Sequence, residues 1–102
     1  MVKLVAVYRK VEDPAAFDKH YFETHLPLAK KMPGLIRTEL ERGRGTPNPE
    51  WEPPHLAAHM YFKDMDALKA ALASPEGKAA GKDLMGFAGK YVRMFFTEVV
   101  EA

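Results

Sequence analysis

The 102-residue sequence contains no cysteine, and this absence excludes several kinds of chemistry at once. Disulfide bonds, thiolate nucleophiles and metal sites built on thiolates all need cysteine. Serine is almost as scarce, since Ser74 is the only one in the chain. Its place directly before Pro75 is typical of a helix cap, so a serine-based acyl-enzyme mechanism is excluded as well.

Long runs of one residue type are also missing. No apolar stretch is long enough to span a bilayer, and the first residues lack the layout of a signal peptide, so we expect a cytoplasmic protein with no membrane partner. Fifteen Lys and Arg residues oppose 14 Asp and Glu residues, which leaves a formal net charge of +1. Without a basic run to neutralise a row of phosphates, nucleic acid is not an expected partner.

The length predicts a single domain over residues 1–102. A domain of this size buries only about two-thirds of the surface of its unfolded chain, so its own core is modest. An apolar cavity would have to share this limited core, and a second copy of the chain would help to close it.

Hydrophobic periodicity predicts an α+β fold with the order β, α, β, β, α, β. Asp13 before Pro14 and Ser74 before Pro75 are helix-start signals, and Asp64 is a third helix cap. The loop over residues 43–54 contains four prolines, two glycines and Trp51. The predicted strands are Val2 to Tyr8, Leu35 to Arg42, His55 to Phe62 and Tyr91 to Val100.

Both helical regions are expected to be interrupted. Pro27 lacks the donor that would pair with the Glu23 carbonyl, and it disfavours helical dihedrals at Leu26. We therefore expect a kink or a fresh short helix between His25 and Met32. In the second half of the chain, a new helix starts after Ser74 and ends at about Ala88.

This element order is that of a ferredoxin-like fold, in which broken helices cover one face of a four-stranded antiparallel sheet. The other face is then left bare. Because apolar residues occupy both parities of the strands, we expect that face to be covered rather than solvated. Two copies would pair through it as a dimeric α/β barrel, which makes the protein a homodimer.

His25 is the strongest candidate for a catalytic residue. It follows Phe17 by eight positions and Tyr21 by four, so the helical phase directs it toward the sheet. An imidazole can give and take a proton near neutral pH, and partly apolar surroundings tune it further. The alternative is a core histidine that is satisfied by a nearby carbonyl group.

Several other residues are candidates for binding a substrate. His59 and Tyr61 share one strand face, and Tyr8 could reach the same cavity from the first strand, although all three could instead belong to a dimer interface. A pocket between helices and sheet would be lined by Met60, whereas one inside the barrel would be lined by His59. Tyr21 would orient the substrate, and Trp51 would act as a lid or pack on the partner.

The sequence indicates no metal, haem or nucleotide site. His20 and His25 are five residues apart, a spacing that does not place two imidazoles on one face of an α-helix. His20 itself is expected at the surface. The Gly43-Arg44-Gly45 segment lacks the residues that complete a phosphate-binding loop. We therefore expect no metal and no cofactor.

Two segments resemble the EthD family. The first runs Tyr21-Phe22-Glu23-Thr24-His25-Leu26-Pro27-Leu28 and ends in Met32-Pro33-Gly34-Leu35, and it is similar to the family's first helix with its His-x-Pro turn. The second is Ser74-Pro75-Glu76-Gly77-Lys78-Ala79-Ala80-Gly81-Lys82-Asp83-Leu84, followed by Phe87, and it is similar to the family's last helix.

The resemblance implies a single EthD-like domain in a homodimeric α/β barrel, associated with ether-degrading oxygenase systems. Similar muconolactone-type isomerases have a histidine at the position of His25 and use it in proton transfer. They also have a cysteine in the third strand near Met60, which this chain lacks. The expected function is the binding of a small hydrophobic, cyclic or aromatic metabolite, with cofactor-independent proton transfer at His25. The alternative is a non-catalytic accessory protein of an oxygenase system.

Overall fold

The computed structural model describes residues 1–102 and contains four strands and two helical regions. The strands are β1 (Val2–Tyr8), β2 (Arg37–Arg42), β3 (Leu56–Phe62) and β4 (Val92–Glu98). The first helical region consists of α1 (Pro14–His20), a π-helical turn (Tyr21–His25) and α2 (Leu26–Ala29). The second consists of α3 (Met65–Ala73) and α4 (Pro75–Ala88). The predicted element order is confirmed.

The four strands form one antiparallel sheet with the order β2-β3-β1-β4. Sequentially adjacent strands β1 and β2 are thus separated by β3, and β2 and β4 are the two edges. This order, with helices on one face, is the ferredoxin-like arrangement predicted from the sequence. Strands β2 and β4 are shorter than predicted, since they begin at Arg37 and Val92 and end at Arg42 and Glu98.

The helices begin where their capping residues predict. The Asp13 carboxylate accepts a hydrogen bond from the Ala16 amide at 3.1 Å, and Asp64 accepts one from the Ala67 amide at 2.8 Å. Ser74 ends α3 and caps α4, whose Gly77 amide donates to the Ser74 hydroxyl at 3.0 Å. Each side chain satisfies an amide that has no partner within its helix.

The core lies between the helices and one face of the sheet. Alternate residues of the two central strands contribute to it: Val2, Leu4, Ala6, Tyr8, Leu56, Ala58, Met60 and Phe62. Leu68 and Leu84 pack against them from α3 and α4. A one-residue shift in register would turn this whole set to the other face, so the packing fixes the strand pairing.

The expected interruption near Pro27 is present as a change of helix type: the π-helical turn ends at His25, and the short helix α2 (Leu26–Ala29) begins within the predicted range of His25 to Met32. The backbone remains in the right-handed helical region at Tyr21, His25 and Leu26, and the chain passes Pro27 without leaving the helix. It accommodates the proline by widening, because the Leu26 amide donates to the Tyr21 carbonyl five residues earlier. Such π-helical turns are rare in proteins, and those that occur often lie at functional sites.

The face of the sheet opposite the helices is more polar than expected. Val5 and Phe95 are apolar, but the half near β2 carries a network of charged and polar side chains. The Lys3 ammonium donates to His59 Nδ1 at 3.3 Å, and His59 Nε2 donates to Glu41 at 2.8 Å. We call this surface, with Val5, Val7, Phe95 and the polar network, the open face.

None of the helices combines the length and apolar character that a bilayer crossing would need.

Candidate functional site

A cavity of about 70 Å³ lies between the sheet and the helices. Its walls come from β1, β3, β4, the first helical region, α3 and α4, and they are largely apolar: Leu4, Ala6, Tyr8, His25, Ala29, Met32, Ala58, Met60, Leu72, Gly77, Ala80, Gly81, Leu84 and Met94. Small residues leave the space open. Three methionines line it, and their flexible thioether chains allow it to adapt its shape.

His25 lies at the wall of this cavity, and only 5% of its side chain is exposed. The last residue of the π-helical turn thus delivers an ionisable group into apolar surroundings. Burial lowers the pKa of His25 below its ordinary value, against the opposing effect of the nearby Asp83 carboxylate, while His20 lowers it further. The imidazole is therefore neutral near pH 7 and available as a base.

Asp83 fixes the orientation of His25. Its Oδ2 lies 3.1 Å from His25 Nδ1, and this nitrogen donates its proton to the carboxylate. Nε2 is then the unprotonated nitrogen that remains for a molecule in the cavity. A carboxylate behind a histidine also stabilises the imidazolium that forms when the ring accepts a proton.

His20 contacts the same carboxylate from the surface side. Its Nε2 lies 2.9 Å from Asp83 Oδ1 and 3.1 Å from Oδ2. The inference that residues five apart do not share a face holds for an α-helix and is wrong here. A hydrogen-bond register of five residues, over the π-helical turn, brings positions 20 and 25 to the same side.

Two tyrosines pack beside His25. Tyr8 and Tyr21 meet edge to face with ring centroids 5.5 Å apart, and Tyr21 lies 5.4 Å from the His25 ring. Burial raises the pKa of Tyr21 to about 12, and burial together with the neighbouring Tyr21 raises that of Tyr8. Both hydroxyls thus keep their protons, and the buried Tyr21 hydroxyl has no hydrogen-bond partner.

The residues singled out from the sequence fall on two sides of the sheet. Tyr8, His25 and Met60 line the cavity, and Tyr21 packs beside it. His59 and Tyr61 lie on the open face, where the Tyr61 hydroxyl donates to Glu39 at 2.6 Å. Tyr8 therefore does not share a cavity with His59 and Tyr61, because residue parity places it on the helix side.

Trp51 lies away from both groups. Its side chain is exposed on the loop between β2 and β3, and it does not line the cavity around His25. Within one copy of the chain, it is not a lid over this cavity.

Sequence reasoning missed Asp83 as a site residue. The signal was present, because Asp83 follows Ala80 by three positions and precedes Phe87 by four. It is therefore the acidic residue on the apolar stripe of α4, a place where a carboxylate needs a partner. Phe87 packs against His20 and His25, with ring centroids 4.2 and 5.4 Å away.

The three side chains His20, His25 and Asp83 form a hydrogen-bonded row rather than a metal site. No group of three or more His, Asp or Glu residues has its donor atoms arranged to hold a metal ion.

Comparison with solved structures defines the class of fold. A dimeric ferredoxin-like protein of Jannaschia sp. CCS1 superposes with a TM-score of 0.68 at 20% identity, over 96% of this chain and 98% of that one. SnoaB of Streptomyces nogalater, a cofactor-independent oxygenase, gives a TM-score of 0.68 at 21% identity, over 99% and 94% of the two chains. The protein thus shares the fold of dimeric ferredoxin-like proteins.

Closer similarities define the family. The EthD domain model matches residues 9–90. An ethyl tert-butyl ether D (EthD) family protein of Bacillus halodurans C-125 is 45% identical, with a TM-score of 0.92 over 98% of this chain and 99% of that one. An uncharacterised 11.0 kDa protein from the thcB-thcC intergenic region of Rhodococcus erythropolis is 35% identical over 100 residues, 96% of this chain and 94% of its own. The chain belongs to the EthD family.

Proposed function

We propose that the protein binds a small, largely apolar cyclic or aromatic metabolite in the cavity beside His25, and that His25 transfers a proton on it without a cofactor. The observation that carries this proposal is the hydrogen bond from His25 Nδ1 to Asp83 at the wall of an apolar cavity. It leaves a neutral imidazole with Nε2 as the basic atom.

The remaining polar groups suggest how such a molecule would be held. Tyr8 lines the cavity and remains protonated, so its hydroxyl is available to donate a hydrogen bond to an oxygen of the ligand. The Tyr21 hydroxyl is fully buried in the same aromatic cluster, so Tyr21 would act by orienting the Tyr8 ring rather than by touching the ligand. A ligand with an acidic O–H or C–H bond next to an oxygen matches this set of one base and one donor.

His25 Nε2 takes the proton from the ligand, and the resulting imidazolium remains hydrogen-bonded to Asp83 through Nδ1. The ligand's negative charge develops on its oxygen, opposite the Tyr8 hydroxyl. Return of the proton to a different atom of the ligand would complete an isomerisation and regenerate the neutral base.

A second candidate function is binding without chemistry, as an accessory protein of an oxygenase or catabolic system. Except for His25 and Tyr8, the walls of the cavity are apolar or are formed by glycine, which suits retention of a hydrophobic metabolite as much as catalysis.

The structural neighbour SnoaB is a cofactor-independent oxygenase, and this supports the first proposal, an enzyme that works without a cofactor.

We also propose that the protein acts as a homodimer in the cytoplasm. Relatives with this fold are dimeric, and exposed Phe95 gives the open face an apolar element that a second copy would cover.

Ligand-induced thermal stabilisation tests the binding site. Phenol, cyclohexanone and a five-membered unsaturated lactone are screened against the wild type, His25→Gln and His59→Gln. A ligand that binds only the folded state raises the melting temperature, and saturation at about 100 times Kd corresponds to about 2.7 kcal/mol. We expect stabilisation of the wild type and of His59→Gln, whose changed residue lies on the opposite face of the sheet, and a loss of it in His25→Gln.

Equal stabilisation of the wild type and His25→Gln, with a loss in His59→Gln, would instead locate the site on the open face and contradict the proposal.

A further inference from the structure

The molecule contains three clusters of histidine with carboxylate. His55, the residue before β3, contacts Asp18 of α1 at 2.8 Å, beside Arg42. His59 contacts Glu41 at 2.8 Å on the open face. Only the third cluster, at Asp83, has two histidines on one carboxylate and reaches the cavity.

We infer that His20 is a positioning residue of this site: it holds the Asp83 carboxylate in place, and when it carries a proton it disfavours a second proton on His25. The inference rests on the proposed function for the use of a basic His25. The sharing of the carboxylate is observed directly in the structure.

The geometry gives His20 the stronger contact with Asp83. His20 Nε2 lies near both carboxylate oxygens, at 2.9 and 3.1 Å, whereas His25 Nδ1 reaches only Oδ2 at 3.1 Å. Two contacts from one donor restrict rotation of the carboxyl group, so that Oδ2 stays in reach of His25. The ring of Phe87, which packs on both imidazoles, fixes their separation.

Exposure differs sharply between the two imidazoles. The His20 side chain is 36% exposed, against 5% for His25 and 18% for Asp83. A positive charge on His20 therefore loses less hydration than one on His25. Once His20 is charged, a second imidazolium on the same carboxylate would be repelled, and only one of the two cations can use the full negative charge of Asp83.

Other ionisable groups surround the pair without separating its members. Lys82 on α4 lines the same surface groove as His20 and Asp83, and Glu12, Asp13 and Tyr91 border the neighbouring groove. On the inner side, Tyr8 and Tyr21 keep their protons and carry no charge. The carboxylate between the two rings is therefore the group through which they interact.

Ring ¹⁵N NMR of the ligand-free protein tests this inference. His20→Gln keeps a side-chain N–H donor for Asp83 but removes the proton that His20 can gain. We expect an upward shift of the pKa of His25 in this variant, with Nδ1 still the protonated nitrogen of the neutral ring. In Asp83→Asn we expect the opposite, a downward shift, because the carboxylate that stabilises the imidazolium is gone.

His59→Gln is the matched control, because it removes a histidine that contacts a carboxylate on the other face of the sheet, and it should leave the titration of His25 unchanged. A loss of packing alone would not move His25 in opposite directions in the two test variants. An unchanged or lowered pKa of His25 in His20→Gln would overturn the inference. The result does not depend on any ligand, so it is distinct from a failure of the proposed function in the thermal screen.

Discussion

At the scale of single residues, the unusual feature of this protein is a nearly buried histidine that is kept neutral. Burial opposes a charge on His25 more strongly than Asp83 favours it, so the pKa of His25 lies below the ordinary value of 6.5. A histidine that is largely withheld from water and yet held by one carboxylate is suited to accept a proton from a ligand rather than from solvent.

The depressed pKa of His25 predicts a pH dependence of stability. The unfolded chain takes up a proton on His25 as the pH falls through about 6.5, whereas the folded protein does so only at lower pH. The unfolded state then binds more protons, and the free energy of unfolding decreases as the pH falls below about 6.5. The contribution of the neutral, buried His25 to the free energy of unfolding is complete above that pH.

Thermal melts between pH 8 and pH 5 check this prediction. The wild type should lose melting temperature below about pH 6.5, and His25→Gln should show a smaller loss over the same interval, because its side chain does not titrate. The carboxyls of Asp18 and Glu39, whose pKa values are lowered in the folded state, act at more acidic pH and lie outside this window. Identical slopes for the two proteins would count against a neutral, buried His25.

At the scale of secondary-structure elements, α4 supplies both a wall of the cavity and the carboxylate of the site. Its approach to α3 depends on Gly77, where an added Cβ would meet the Ala71 carbonyl oxygen and lie 2.8 Å from Leu72 Cα. At Gly81, one turn further on, a Cβ would have no atom within 4 Å. Both glycines line the cavity, and only one of them is required by packing.

The two glycines give a matched pair of alanine variants. Each substitution gains about 1 kcal/mol of helix propensity. We expect Gly81→Ala to raise the free energy of unfolding by up to about 1 kcal/mol. Gly77→Ala should lower it by about 1–3 kcal/mol, because overpacking against the α3 backbone outweighs the same gain. Denaturant titration of both variants measures the difference, and equal effects would show that the α3–α4 contact is not close.

Local sequence signals predicted most of the elements. Caps at Asp13, Asp64 and Ser74 fixed three helix starts, and alternating apolar residues fixed the inward face of β3. These signals act between residues that are near in the chain, so composition and spacing contain them. The predicted ends of β2 and β4 were less accurate. These are the edge strands, and their limits depend on pairing with a single neighbouring strand.

The π-helical turn could not be predicted in this way. Pro27 signals a disturbance of the helix, but whether the chain kinks, restarts or widens depends on packing against α4 and β1. The arrangement of the site could not be predicted for the same reason, because the wider turn is what brings His20 and His25 to one side, where both contact Asp83. His25 was predictable from its phase on the apolar stripe, whereas its partner Asp83 lies 58 residues away in sequence.

At the scale of the whole molecule, one copy leaves a sheet face uncovered. Phe95 is 45% exposed there, and Val5 and Val7 lie beside it. The charged side chains on the same face already pair with one another, as Lys3 does with His59 and Arg37 with Glu39. A second copy could therefore cover these paired groups without isolating their charges. Arg93, opposite Val7 on the same face, has no ion-pair partner within one copy and would need one from the second.

Sedimentation velocity tests the proposed dimer. The wild type should sediment as a dimer, and Phe95→Glu should weaken association at least tenfold, since a central buried aromatic residue often contributes about 2 kcal/mol or more to an interface. Met85→Glu is the matched control, because Met85 is 60% exposed on α4, away from the open face. A wild type that is monomeric at micromolar concentration, or equal effects of the two variants, would contradict association through the open face.

Deuterium uptake from D₂O directly measures the proposed exchange of a proton between His25 and a molecule in the cavity. Cyclohexanone, whose C–H bonds next to the carbonyl exchange slowly in neutral water, is incubated with the wild type or His25→Gln and followed by mass spectrometry. We expect bound cyclohexanone to take up deuterium at an accelerated rate with the wild type and at the uncatalysed rate with His25→Gln. Bound ketone that gains no deuterium with the wild type, or equal acceleration by both proteins, would contradict the role of His25 as a base and favour a metabolite-binding accessory protein.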